Sequence, residues 1–232
     1  RISDLARVAM GPTIVIGAGA RVADLQTHAG VGRVLPALVQ AASTLGSVQI
    51  RNVATVGGNI CNASPCADLA PPLLVHEARV RIVSSEGARE LPLSGFFVGP
   101  RASVLAPAEI LSAVVVDPPT PKTRAISLKQ GRVRMDIALA SIAVLLEFEG
   151  QKCTKARVAA GPLGPCPLRL TETESALTGS TFDDATIARA REAAESDVRP
   201  ISDVRAGADY RRHLAGALVE RAIRNLMTGA DS

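Results

Sequence analysis

The fold of this 232-residue chain is indicated most clearly by residues 49–68, which read Gln49-Ile50-Arg51-Asn52-Val53-Ala54-Thr55-Val56-Gly57-Gly58-Asn59-Ile60-Cys61-Asn62-Ala63-Ser64-Pro65-Cys66-Ala67-Asp68. The segment has no sustained helical or strand period, and it is dense in Gly, Asn, Ser and Thr. These residue types are typical of turns and of backbone that approaches a ligand. Inside a compact domain, such a run predicts a long loop with a functional or structural role.

Within this segment, Thr55-Val56-Gly57-Gly58-Asn59 has the composition of an anion-binding turn. Adjacent glycines can present successive backbone N–H groups without an obstructing Cβ, and a threonine hydroxyl stands beside them, which suits a phosphate or pyrophosphate. Asp68 can accept hydrogen bonds from ribose or ribityl hydroxyls. The residues alone leave an alternative equally open, in which this is an ordinary glycine-rich turn and Asp68 caps a helix.

A second glycine turn, Gly17-Ala18-Gly19-Ala20, follows the β-branched run 13–16 and precedes a helical spacing that begins at Val22. Rossmann dinucleotide-binding folds share this order of strand, glycine turn and helix. The pattern departs from theirs at Val22, where the third glycine would stand, and no strand ending in Asp or Glu follows about 20 residues later. We therefore predict a tight turn that can still border a ligand, then a break at 30–32 and a helix at 34–45.

The remaining segments predict an α+β protein in two parts. Alternation at 79–83 and 89–93 predicts a β-hairpin, and the proline cluster 117–121 marks a domain boundary. We place a first domain at residues 1–117 and a second at residues 122–232, the latter with a small antiparallel sheet and helices. The other predicted elements are strands at 109–116, 125–129, 137–148 and 155–160, and helices at 73–76, 171–177, 184–195 and 209–227.

Composition narrows the class of protein. With 47% hydrophobic and 21% charged residues, the chain is globular rather than disordered. The net charge is +4, but the arginines are spread among acidic residues and only 2% of residues are aromatic. Few stacking platforms are therefore available, and we expect no nucleic-acid partner.

Two further patterns concern location and metals. No uncharged apolar run of about 18 residues and no leader sequence after Arg1 is visible, so we expect a cytoplasmic protein without a membrane span. The cysteines show no CxxC spacing and no Cys/His cluster, so no metal site is expected in this chain. They are Cys61, Cys66, Cys153 and Cys166.

The residues in the central segment resemble a known signature. Gln49–Ile60, Asn62–Pro65 and Asp68 are similar to the motif of the FAD-binding medium subunits of molybdenum hydroxylases, the family that includes carbon monoxide dehydrogenase and xanthine dehydrogenase. The resemblance covers nearly the whole chain. It continues through Phe96–Pro100, Glu109–Leu111, Lys129 and Asp136–Ala138.

This resemblance implies the second subdomain of a vanillyl-alcohol-oxidase-like FAD-binding fold, followed by a C-terminal antiparallel sheet with helices. It also implies that FAD is the cofactor and assigns contacts to it. The implied contacts are Thr55, Val56, Gly57, Gly58 and Asn59 at the pyrophosphate, Leu45 at the adenine, Asp68 at the sugar or ribityl hydroxyls, and Leu111 and Lys129 at the flavin ring.

Lys129 also has a simpler interpretation, since a single lysine is most often a solvated surface charge. Only four lysines occur among the 26 basic residues, however, so a lysine at this place is informative. A compact positive charge beside a flavin ring favours its reduced, negatively charged form.

The resemblance further implies an oxidoreductase subunit without catalytic residues for the substrate. Its FAD would receive electrons from a molybdopterin-binding large subunit through a small subunit with 2Fe–2S clusters. NAD, quinone or oxygen would be the acceptor.

The family also has a first FAD subdomain with its own glycine-rich loop, and this chain begins after it. The alternative is therefore a non-catalytic assembly module that does not bind FAD on its own.

Overall fold

The computed structural model describes residues 3–228, and every strand pairing in it is antiparallel. Its strands are β1 (Val8–Ala9), β2 (Ile14–Gly17), β3 (Arg79–Ser84), β4 (Gly87–Pro92), β5 (Phe97–Gly99), β6 (Ala102–Ser103), β7 (Ile110–Val116), β8 (Thr123–Gln130), β9 (Ala140–Glu149), β10 (Lys152–Gly161) and β11 (Leu168–Arg169). Its helices are α1 (Val22–Thr27), α2 (Ala29–Val34), α3 (Pro36–Thr44), α4 (Val48–Val53), α5 (Val56–Cys61), α6 (Ala70–Val75), α7 (Thr171–Leu177), α8 (Asp184–Asp197) and α9 (Ala208–Thr228).

The first half of the chain is built on a five-stranded sheet with the order β1-β2-β7-β3-β4. The chain leaves this sheet after β2, forms helices α1 to α6, and returns at β3. The predicted hairpin is confirmed, because β3 and β4 pair from Arg79 opposite Pro92 to Ser84 opposite Gly87. Along β3, Val80 and Ile82 are buried while Arg79 and Arg81, which alternate with them, are partly exposed, as the alternating pattern requires.

The second half is a four-stranded sheet, in the order β11-β10-β9-β8, covered on both faces. One face packs against α3 and α6 of the first half, and the other packs against α7 and α9, on which α8 lies. Strand β9 shows this directly, since Ala143 and Leu145 join the first core and Ile142 and Val144 join the second. The long buried strand predicted at 137–148 therefore has no solvent face, which explains its continuous apolar composition.

Two sequence predictions about the glycine-rich segments were wrong. The segment 49–68 contains the six-residue helices α4 and α5 rather than a continuous loop. Each begins at a hydroxyl cap, where Ser47 accepts from the Ile50 N–H at 3.3 Å and Thr55 accepts from the Gly58 N–H at 3.0 Å. Helices this short span less than two turns, so periodicity does not reveal them.

The predicted break at 30–32 is likewise inside a helix, α2. The His28 ring caps that helix by accepting from the Val31 N–H at 3.2 Å, and this cap compensates for the low helix propensity of the glycines.

Helix α5 packs tightly against the turn at 17–20. The Val56 N–H donates to the Ala20 carbonyl at 2.9 Å, and the Gly57 N–H donates to the Ala18 carbonyl at 2.7 Å. A Cβ on Gly57 would lie 2.7 Å from the Ala18 Cβ, closer than real side chains approach. The absence of a side chain at Gly57 is therefore required by packing within the protein.

His76 lies where α6 meets the second sheet, and it is buried with only 7% of its surface exposed. Its Nε2 atom has no hydrogen-bond partner among residues 3–228. Burial, together with the nearby positive charge of Arg157, lowers the pKa of His76 to about 4. The imidazole is therefore neutral at pH 7. Within residues 3–228, none of the helices has the length and hydropathy needed to cross a bilayer.

Replacing Gly57 by Ala is expected to destabilise the fold by about 1–3 kcal/mol, because the added methyl group must displace Ala18. Gly58→Ala is the matched control. A Cβ on Gly58 would contact only the Thr55 hydroxyl, at 3.0 Å, so a smaller loss is expected. Denaturant unfolding of both variants checks this, and equal losses would contradict the packing argument.

The lowered pKa of His76 predicts that the fold loses stability in acid. The pKa is about 4 in the folded chain and about 6.5 when unfolded, so the unfolded state binds the extra proton in that window. The free energy of unfolding therefore falls as the pH drops from about 6.5 to about 4, by at most about 3 kcal/mol. A His76→Phe variant is expected to lack this component. Parallel curves for the two proteins across the window would show that the imidazole is not responsible.

Candidate functional site

The start of helix α5 differs from the predicted row of free N–H groups. The Val56 and Gly57 N–H groups donate to the turn at 17–20, the Gly58 N–H donates to the Thr55 hydroxyl, and the Asn59 N–H donates to the Thr55 carbonyl at 3.0 Å. All four donors are thus satisfied within the protein. What this segment offers to a ligand comes from its side chains and from the exposed backbone at Gly58.

Asn59 and Thr55 each keep one donor group available. The Asn59 Oδ1 atom accepts from the Leu69 N–H at 3.2 Å, which orients the amide, and the Asn59 amino group has no protein acceptor among residues 3–228. The Thr55 oxygen accepts from Gly58, so its own O–H remains free to donate. The two side chains are four positions apart across the first turn of α5, where side chains are neighbours.

Asp68 and Lys129 form a nearly buried ion pair. The Lys129 Nζ atom lies 2.9 Å from Asp68 Oδ1, and the two side chains are 9% and 14% exposed, respectively. The same ammonium group donates to the Thr44 carbonyl at 3.1 Å. Asp68 Oδ1 is fully buried and has no well-oriented hydrogen bond besides this ion-pair contact among the described residues. Burial raises the pKa of Asp68, and the charge of Lys129 opposes that rise.

This geometry argues against two simpler interpretations left open by the sequence. Lys129 is not a solvated surface charge, because its side chain is largely buried and paired. Asp68 is not a helix cap, because no side chain caps the start of α6. Both residues instead belong to an internal contact between the two halves of the chain.

The predicted leucines lie in the first core. Leu45 ends helix α3 with 7% of its surface exposed, and Leu111 lies on β7 with 6% exposed. The Leu45 carbonyl accepts from Arg51 at 3.1 Å. Backbone atoms are therefore the main part of Leu111 that a ligand can meet, and the Leu45 side chain is mostly committed to the core.

The predicted residues are joined by direct contacts into one region. Asn59 contacts Leu69, the neighbour of Asp68. Asp68 pairs with Lys129, and Lys129 contacts Thr44, which precedes Leu45.

A second route leads from α5 to the first sheet. Gly57 contacts Ala18, whose N–H donates to the Ser112 carbonyl at 2.9 Å, next to Leu111. These contacts, together with chain neighbours, connect α3, α5, β7 and β8. Sequence reasoning missed Thr44, because a backbone carbonyl leaves no signal in the sequence.

A small cavity of about 280 Å³ adjoins the ion pair and is lined by Thr44 and residues 129–134. Lys129, Arg132 and Arg134 make its lining cationic, and no carboxylate lines it. Two larger cavities, of about 760 and 460 Å³, follow the joint between the halves around His76 and Pro119 and contain none of the predicted site residues. Among residues 3–228, no group of three or more His, Cys, Asp and Glu side chains could hold a metal ion.

Comparison with known families accounts for most of the chain. Residues 1–119 match the FAD binding domain in molybdopterin dehydrogenase. Residues 128–226 match the CO dehydrogenase flavoprotein C-terminal domain.

Individual relatives support the two family matches. The xanthine dehydrogenase FAD-binding subunit of Escherichia coli O157:H7 is 35% identical over 201 residues, which is 85% of this chain and 68% of that protein. The carbon monoxide dehydrogenase medium chain of Hydrogenophaga pseudoflava is 32% identical over 213 residues, covering 92% of this chain and 74% of that one.

Solved structures extend the similarity to three dimensions. A carbon monoxide dehydrogenase from Hydrogenophaga pseudoflava that lacks the Mo-pyranopterin moiety superimposes with a TM-score of 0.95 and 31% identity, over 98% of this chain and 80% of that chain. This match confirms the predicted α+β fold. The chain belongs to the family of FAD-binding medium subunits of molybdenum-containing dehydrogenases.

Proposed function

We propose that this chain holds FAD in the region between helix α5 and strand β8 and serves there as an electron-transfer subunit. The observation that carries the proposal is the buried Asp68–Lys129 pair, which lies next to a cationic cavity and is linked through Leu69 to Asn59. An ion pair this far from solvent has a desolvation cost. A ligand that uses both charges explains why the pair is placed at the edge of a cavity.

The residues present fit the chemistry of FAD. Phosphate oxygens need donors, and the Thr55 hydroxyl and the Asn59 amino group are free to donate at one end of α5. Gly58 is exposed, so a ligand can approach its backbone closely. Hydroxyl groups need an acceptor, and the partly exposed carboxylate of Asp68 can supply one.

We assign the remaining contacts as the family resemblance implies them. FAD, when bound, supplies the redox-active flavin ring. Lys129 places a positive charge near that ring, and Leu111 meets it through backbone atoms. Val56 and Gly57 hold α5 against the turn at 17–20, and Leu45 contributes an apolar surface near the adenine.

The proposal extends to partners. Electrons reach the FAD from a molybdopterin-binding large subunit through a small 2Fe–2S subunit and leave to NAD, quinone or oxygen, in a cytoplasmic complex. Relatives named as medium chains support the existence of large and small partners. We place the domain boundary between residues 117 and 122, which is close to the limits of the two family matches.

The alternative of an assembly module without FAD is not favoured. Family similarity includes the FAD-binding domain itself, and the side chains proposed to contact FAD are linked in one region.

Removing the Asp68 carboxylate tests the site. Asp68→Ala is expected to weaken FAD binding about 10- to 100-fold, because charge-assisted hydrogen bonds to ligand hydroxyls are lost. Calorimetric titration of FAD into both proteins measures this. Glu174→Gln is the control, since Glu174 is comparably buried (15% exposed) in an ion pair with Arg169. A dissociation constant unchanged by Asp68→Ala would remove Asp68 from the site.

Lys129→Met is expected to lower the reduction potential of the bound flavin, because a positive charge that favours the reduced ring is lost. Methionine retains most of the length of the aliphatic stem, so packing changes little. Redox titration of the FAD-loaded proteins gives the two potentials. A potential that stays constant or rises would place the ammonium away from the ring.

A further inference from the structure

The ammonium group of Lys129 lies near a cavity and is also held by neighbouring groups. It is held from two sides, by the Asp68 carboxylate at 2.9 Å and by the Thr44 carbonyl at 3.1 Å. An ammonium has three N–H donors, and one of them donates to the Thr44 carbonyl. The contact with Asp68 is an ion pair without a well-oriented hydrogen bond, and Lys129 also lines the cavity.

The pair also has almost no net charge. Lys129 and Asp68 are 9% and 14% exposed, so water screens neither of them strongly. A negative charge that forms in the cavity is attracted by the ammonium and repelled by the carboxylate behind it. The carboxylate therefore offsets part of the attraction.

We propose that Asp68 is a positioning residue that holds Lys129 in place and offsets its charge, so that the two side chains together set the reduction potential of the flavin. This inference rests on the proposed function, since it requires a flavin beside Lys129. It adds a role for Asp68 that is exerted through Lys129 and is separate from hydrogen bonding to ligand hydroxyls.

The proposal predicts opposite effects for the two charges. Asp68→Asn keeps the side-chain shape and an oxygen acceptor but removes the negative charge, so the flavin potential rises. Lys129→Met lowers the potential. In the Lys129→Met background the rise on Asp68→Asn is smaller, because the part of the effect that acts through the position of the ammonium group is lost.

The test is a redox titration at pH 7 of the four FAD-loaded proteins: the unaltered chain, each single variant and the double variant. We expect a higher potential for Asp68→Asn, a lower potential for Lys129→Met, and a smaller rise on Asp68→Asn in the Lys129→Met background than in the unaltered chain. Glu174→Gln, which removes a comparably buried carboxylate on α7, leaves the potential unchanged.

Two results would overturn the inference while leaving the proposed function intact. One is an equal rise on Asp68→Asn in both backgrounds, which would show that Asp68 acts on the flavin directly. The other is a potential that Asp68→Asn leaves unchanged or lowers, although Lys129→Met still lowers it. If Lys129→Met has no effect, the proposed position of the flavin is itself wrong.

A measurement without FAD checks the holding contact separately. Brief treatment with acetic anhydride and mass spectrometry reports how fast Lys129 is acetylated. The rate is expected to rise in Asp68→Ala, where the amino group is no longer held, and to stay constant in Glu174→Gln. An unchanged rate in Asp68→Ala would show that Asp68 does not hold Lys129.

Discussion

The ion pair between Asp68 and Lys129 is the contact on which the geometry of the site depends. Asp68 precedes helix α6 in the first half of the chain, and Lys129 lies on strand β8 in the second half. Neither charge could remain so far from solvent alone, because an unpaired buried ion costs several kcal/mol. The pair therefore fixes the start of α6 relative to β8. Gln40 reinforces the joint by accepting from the Ser127 N–H at 2.8 Å.

Close backbone packing holds helix α5 and the segment that links it to α6 from both sides. Gly57 lies against Ala18, and a Cβ on Gly161 of β10 would come within 2.9 Å of the Pro65 carbonyl. Adding a side chain at either position would displace the segment that carries Asn59 and Asp68. Gly57 therefore serves packing within the protein, and the neighbouring side chains are the ones proposed to face a ligand. A glycine-rich motif can therefore be tied to a binding site without lining it.

The sequence predicts two kinds of element correctly. In one kind a single face is buried, and in the other the whole element is buried. Alternation along 79–83 and the continuous apolar run in 137–148 each follow from a simple burial pattern, and both strands form. Helices α4 and α5 were not predicted, because their stability comes from hydroxyl caps and from tertiary packing. Helix α4 packs against α1, and α5 packs against the turn at 17–20. Tertiary contacts decide such short elements.

The sequence supplied the residues proposed for the site but not the contacts between them. The family resemblance singled out Asp68 and Lys129 as separate cofactor contacts, and nothing in the spacing of the chain indicates that they pair. The same holds for Thr44, which acts through its carbonyl group. Pairing across two sheets is a property of the packed structure, so it could only be seen there.

The cavity at Lys129 differs in charge balance from the cavity of about 460 Å³ beside His76. In the cavity of about 460 Å³ beside His76, each lining cation already has a carboxylate partner, so an anion entering it would have to displace one. Those pairs are Arg79 with Asp117, Arg157 with Glu77, Lys155 with Glu147, and Arg169 with Glu174. In the cavity beside Lys129, Lys129 is paired with Asp68 and Arg132 with Asp136, while Arg134 forms no ion pair with any residue in 3–228. An anion entering this cavity therefore meets one unpaired cation, Arg134, whereas every cation that lines the cavity of about 460 Å³ is paired.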